Sequence, residues 1–336
     1  MKNTKKKIEL ALVEPMYSTY HHQGACTATL VNNPSVKNWH LNQVTILTCT
    51  QKFLNGFTTP EIGIADSSWR TNPYLDKKWY NMEFLGGYTN VVIRKLLDAG
   101  YYVCFSGIDD YYIDGKSWYH KRHFEHDGCI CGYDRENKTF CIYAYDQNWI
   151  YRKFWAPQKS FDAARRAQFK KGRYGEICGI KPKEDQIAFS HETALKKIAE
   201  YLDSNMEKYP ENPTGIARGI VVHDYIAKYI GKLYDGSIPY EKMDPRVFRM
   251  IWEHKKVMLE RIQSIEETLS LDHSISDAYK TLVREADNCR MLYAAHHMKE
   301  RKWSLLTIQK NLLSMKAREQ ELLTALLQKS KSEEKE

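Results

Sequence analysis

Three β-rich runs follow one another between residues 126 and 157: HDGCICGYD, TFCIYAYD and WIYRKFWAP. Only RENK (135–138) separates the first two, a short polar link that predicts an antiparallel hairpin. Upstream of them the hydrophobic period changes repeatedly. KIELALVEP (7–15) reads as a strand and residues 26–32 as the start of a helix. YNMEFLGGYTNVVIRKLLDAG (80–100) has apolar residues at helical spacing and stops at Gly100. YYVCFSG (101–107) is an apolar strand. Helices first and an antiparallel sheet afterwards make this half α+β.

The second half keeps one period. Helices are predicted from Ser190 to Lys208, Ile216 to Leu233, Pro245 to Ser270, Ser274 to His297 and Trp303 to Leu327. Apolar residues recur every three or four positions in VFRMIWEHKKVMLERI and LLTIQKNLLSM. Ser190 and Ser274 suit N-caps, and Pro245 suits a first turn capped by Asp244. The expected organisation is a domain at 1–185 and a C-terminal helical bundle at 186–330, divided near IKPKED.

Composition narrows the function classes. The net charge of +8 is spread thinly, with dense runs only in KNTKKK and KSKSEEKE, and no nucleic-acid-binding motif accompanies it. Nucleic acid is therefore not expected as a partner, whereas an acidic protein surface is. MKNTKKKIELALVEP lacks a small-residue cleavage site, and no run approaches ~18 apolar residues, so a cytoplasmic protein off the membrane is expected. The eight cysteines read as thiols. Cys129 and Cys131 form a C-x-C with no second pair at zinc-ribbon spacing, so no metal is expected, and both should face one side of a strand.

One cysteine stands apart. In HHQGACTATL (21–30) Cys26 follows a Gly-Ala turn at an expected helix start, where the helix N-terminus favours thiolate. A nucleophilic cysteine needs a base, and the base an orienting group. HFEHDGCICGYD supplies His123 and His126. If RENK is the turn, residues near 126 lie across from 146–148, where Asp146, Gln147 and Asn148 could orient the His126 ring. Asp127 points to the opposite face and Asp134 is at the wrong end of the hairpin.

The order of cysteine, strand-initiating histidine and acid is that of papain-like enzymes. HFEHDGCICGYDRENKTFCIYAYD resembles the His-to-Asp hairpin of bacteriocin-processing cysteine peptidases. VCFSGIDDYYIDGKSWYHKRHFEHDGCICGYD resembles the butirosin biosynthesis protein H family more closely, with closthioamide-type amide synthases beside it. The resemblance covers roughly residues 8–160. It implies a papain-like fold, with Cys26 as nucleophile, His126 as base and Asp146 as orienting acid. Papain-like enzymes carry an oxyanion-hole glutamine about six residues before the cysteine. Here that position is Tyr20, which leaves Gln23 or His22, with the Cys26 N–H, as substitutes.

Such a site performs acyl transfer. The resemblance implies an acyl group delivered on the phosphopantetheine arm of an acidic carrier protein, without a bound cofactor, in a thiotemplated antibiotic or nonribosomal-peptide pathway. The first expectation is amide synthesis with an amine or diamine. A peptidase or thioesterase with the same triad and a non-catalytic assembly-line scaffold are the alternatives. Asp109, Asp110, Tyr111 and Tyr112 read as a strand-end turn or as a pocket attracting the ammonium group of the acceptor.

Overall fold

The computed structural model describes residues 5–28, 33–55, 59–172, 175–203, 215–299 and 302–333; of Cys26, Asn55, 297–299, Lys302 and Glu333 it describes the backbone alone. The elements run β1 (Lys7–Glu9), α1 (His21–Ala28), α2 (Pro34–Gln43), β2 (Leu47–Thr50), β3 (Ile62–Ile64) and β4 (Leu75–Asn81). Next come α3 (Met82–Leu85), α4 (Thr89–Asp98), β5 (Tyr102–Asp109), β6 (Glu125–Asp134), β7 (Thr139–Tyr145), β8 (Tyr151–Pro157), α5 (Gln158–Lys170) and β9 (Glu176–Pro182). The chain ends with α6 (His191–Leu202), β10 (Ile216–Arg218), α7 (Val222–Tyr234), α8 (Arg246–Thr268), α9 (Ser274–Lys299) and α10 (Lys302–Glu333). This is an α+β architecture with antiparallel sheets and a C-terminal helical region.

Two compact units divide it, one of Met1–Lys37 with Ser68–Ile187 and one of Asn38–Ser67 with Ala188–Glu336. The first is built on an antiparallel sheet of order β4-β9-β5-β6-β7-β8, with β1 pairing on β6. Alternation sorts its side chains. Val103, Phe105, Ile130 and Ile142 join Ile93 and Leu96 of α4 and Phe161 of α5 in one core. Tyr102, Cys104, Cys129 and Cys131 join Ala25 and Ala28 of α1 in another. Cys129 and Cys131 thus do share one side.

The hairpin over RENK forms as expected, with Asp134 opposite Thr139. Other expectations fail locally. The first strand stops at Glu9, after three residues. The helix expected over 80–100 breaks in two: the Asn81 side chain caps α3 by accepting from the Glu83 N–H, and Gly86 (φ +49°) ends it. The helix around Cys26 begins at His21, so Cys26 is its sixth residue. β9 fills the sheet between β4 and β5, where the sequence predicts no strand.

The second unit corrects the domain boundary. The divide does fall beside Ile187, yet 38–67 belongs with the helices. β2 pairs with β10 (Thr48 with Arg218) and with β3 (Thr48 with Gly63). The fully buried Arg261 on α8 donates to the carbonyls of His40, Leu41 and Val44. A buried guanidinium needs such acceptors, and they fix the 38–67 segment to α8. The helix expected from Ile216 therefore starts as strand β10, and α7 begins only at Val222. Ser190 caps α6 as expected, accepting from the Thr193 N–H at 3.1 Å.

Inside the bundle lies a fully buried polar network. Glu319 of α10 accepts from Lys255 of α8, Tyr201 of α6 and Tyr279 of α9, and the Lys255 Nζ stands 3.0 Å from His223 Nε2 of α7. Five helices are registered on one carboxylate. No helix among the described residues is long and apolar enough to cross a membrane.

Candidate active site

The strand pair β5–β6 positions the histidine. Phe105 pairs with Gly128 and Ile108 with His126, so β5 carries one extra residue, a bulge. Gly107 sits in it at φ +67°, backbone that a side chain disfavours. Beyond the bulge β5 ends at Asp109, whose carboxylate accepts from the Tyr111 N–H and starts a short turn at Asp110. That turn brings Asp110 to His126: the Asp110 Oδ2 lies 2.8 Å from His126 Nδ1. A carboxylate accepts from a ring N–H, so this bond holds the proton on Nδ1 and leaves Nε2 as the basic atom.

Asp110 is the buried member of this pair and His126 the partly exposed one. The Asp110 side chain is 2% exposed and the His126 side chain 24%. Lys116, as buried as Asp110, holds its Nζ 3.5 Å from Asp110 Oδ1 and balances the carboxylate charge. Burial lowers the Lys116 pKa, and Asp110 partly restores it. Gly115 (φ +92°) lets this loop lie against Phe154, where an added Cβ would come within 2.6 Å of the ring.

Asp146 is not the partner of His126. Its carboxylate accepts from the N–H groups of Asn148 and Ile150 and pairs with Arg152. Burial alone would raise this carboxyl, but the amides of Ile150 and Asn148 and the guanidinium of Arg152 outweigh it and hold it below its usual range. Asp146 closes the β7–β8 turn, where Trp149 takes φ +59°. The acid comes instead from the other neighbour of β6. The register supplies the reason: His126 is flanked by Ile108 of β5, two residues before Asp110. The strand run YYVCFSGI ending in DD was the available signal.

The remaining candidates fall elsewhere too. Asp109 is 1% exposed and occupied by His123 Nδ1 at 2.8 Å, Lys171 at 3.6 Å and the N–H groups of Tyr111 and Phe124. His123, the rival base, is therefore held in a pair of its own, with Tyr111 stacked on its ring at 4.3 Å. Tyr112 packs against the core. Asp109 and Asp110 are thus spent on histidines and lysines, and neither is open to an ammonium group.

α1 brings the nucleophile candidate to this place. His21 stands edge-on to His126, ring centroids 4.4 Å apart. Gly24 allows the helix to approach β8: an added Cβ would lie 2.5 Å from the Tyr151 hydroxyl. Cys26 is on this helix, and its side chain lies outside the described residues. The expected N-terminal setting needs correction. Only the first turn of a helix has free N–H groups, and Cys26 lies past it. Gln23 is 1% exposed and sits one turn before Cys26 on the same helix. His22 stacks on Tyr20, and burial, with Arg70 against the opposing Asp127, lowers its pKa.

The other seven cysteines are free thiols and buried. Burial pushes the thiols of Cys49 and Cys178 up to about 12 and that of Cys289 to about 11, which leaves them poor nucleophiles. No family model and no curated protein matches the chain.

Proposed function

We propose that the protein is a cysteine-dependent acyltransferase that joins a thioester-bound acyl group to an amine. Cys26 is the nucleophile, His126 the general base through Nε2, and Asp110 the acid that fixes its tautomer. The observation that carries this reading is the His126–Asp110 hydrogen bond, 2.8 Å long, beside the helix that bears Cys26. His126 takes the thiol proton, and the thiolate adds to the carbonyl. The acyl group passes to Cys26 as the donor thiol leaves with that proton; an amine then adds to the Cys26 thioester, the C–S bond breaks, and His126 carries the amine's proton to the departing Cys26 thiolate.

A papain-like arrangement, with the acid drawn from the turn after the preceding strand, belongs to this proposal. So does an acidic carrier protein whose phosphopantetheine arm presents the thioester. The net charge of +8 supports it. A reactive thiol suits the reducing cytoplasm. Recognition of the amine does not pass to Asp109 or Asp110, which are already paired.

The test offers an acyl-loaded carrier or a short acyl thioester with millimolar diamine and reads the products by mass spectrometry. Amide in excess over free acid supports the proposal. Free acid in excess identifies a hydrolase. No product and no adduct on Cys26 removes the acyl-transfer reading.

A further inference from the structure

Among the described residues of the candidate site, two ring nitrogens are buried without a hydrogen-bond partner, and both belong to His21. The residue is 6% exposed. Its ring plane stands at 81° to that of His126, with Tyr145 and Tyr151 each 5.4 Å away. Packing alone would favour phenylalanine here, because a buried polar group with no partner is destabilising. Such a group beside a general base asks for a partner that arrives with the substrate.

The reaction supplies one. When a thiolate adds to a thioester carbonyl, the π electrons move onto oxygen, and the oxyanion needs a donor. The chain has tyrosine at the position where papain-like enzymes place theirs, and the Cys26 N–H lies past the free first turn of α1. We infer that His21 is a catalytic residue that donates a ring N–H to this oxyanion, an inference resting on the acyl-transfer reading above. A carbonyl carbon within reach of His126 puts its oxygen within reach of a ring 4.4 Å away.

His21 stays neutral in this role. Burial, the Lys116 charge and His126 hold its pKa well below the usual histidine range. One N–H is therefore available across neutral pH. The ring neither gains nor loses a proton during addition. On collapse the electron pair returns to the carbonyl, the bond to the donor sulfur breaks, and the protonated His126 gives its proton to the leaving thiolate.

Alkylation separates this role from a structural one, since iodoacetamide reacts with the Cys26 thiolate without forming an oxyanion. The full chain is compared with its His21→Phe and His21→Gln variants for melting temperature, Cys26 alkylation rate and Cys26 acylation by a short acyl thioester, read by intact mass. His21→Phe should alkylate within about twofold of the parent while acylation falls ~10²- to 10³-fold, the usual loss for one oxyanion donor. His21→Gln, which keeps an N–H, should recover part of it. If His21→Phe fails to fold, His21→Met takes its place. Acylation unchanged, or acylation and alkylation falling together, overturns the inference. A parent that alkylates but never acylates overturns the acyl-transfer reading itself.

Discussion

Asp110→Asn and Asp146→Ala decide which acid serves the site. Asp110 accepts from His126 at one oxygen and faces Lys116 at 3.5 Å with the other. An asparagine that turns its NH₂ toward His126 reverses the tautomer, so Nε2 carries the proton and is no longer a base. The equivalent change in a serine-protease triad costs about 10⁴-fold in kcat, so a loss of ~10²- to 10⁴-fold is expected. The substitution also leaves Lys116 buried without its closest counter-charge, which costs about 3–5 kcal/mol when the charge stays. Because burial already lowers the Lys116 pKa, the ammonium can shed its proton and soften that loss. Adding Lys116→Met should therefore restore stability and leave activity low. Asp146→Ala removes an acceptor from two turn amides and should cost about 1–3 kcal/mol, with turnover within about threefold of the parent. The assay is turnover of an acyl thioester beside urea unfolding of each variant. If Asp146→Ala loses more than tenfold in turnover while Asp110→Asn keeps it, the assignment of the acid is wrong.

Other perturbations test the fold around the site. Lys255→Met strands the Glu319 carboxylate in the bundle core and should destabilise by about 3–5 kcal/mol in urea unfolding; adding Glu319→Gln should recover at least half. Burial pushes His40 and His254 down to about 3, so both are neutral in the folded chain and take up protons when it unfolds. Their stability contribution is whole above pH 6.5 and is lost as pH falls toward 3, about 1.4 kcal/mol per histidine between pH 7.5 and 5.5, and His254→Gln should reduce that slope. Gly24→Ala drives a methyl into Tyr151 and should slow Cys26 alkylation by moving α1, and Tyr151→Ala in the same chain should restore it.

Where one period ran uninterrupted, the sequence was legible. The hairpin of β6 and β7 follows from alternation on either side of RENK, and α8 to α10 from apolar residues three and four apart. Pairings across long stretches of chain left no such trace. β2 pairs with β10 far along the chain, and β9, although as long as β7, carries Gly179, Lys181 and Pro182, residues that blur a strand pattern. Counting back from the RENK turn sets Asp146 opposite His126, but its carboxylate is used by its own turn, as aspartate side chains commonly are. Asp110 was hidden by the bulge at Gly107, since one extra residue changes which side chains face β6. The histidines at 21 and 22 read in sequence as a surface pair, yet His21 is 6% exposed, because its burial is decided by packing against β6 and β8.

Intact-mass spectrometry of the protein after brief exposure to an acyl thioester without amine, followed by peptide mapping, tests the central claim most directly. One acyl group is expected on Cys26, absent from Cys26→Ala, slowed at least a hundredfold in His126→Ala, and released as amide when a diamine is added. An acyl group on another cysteine, or an adduct that forms equally fast without His126, would contradict it.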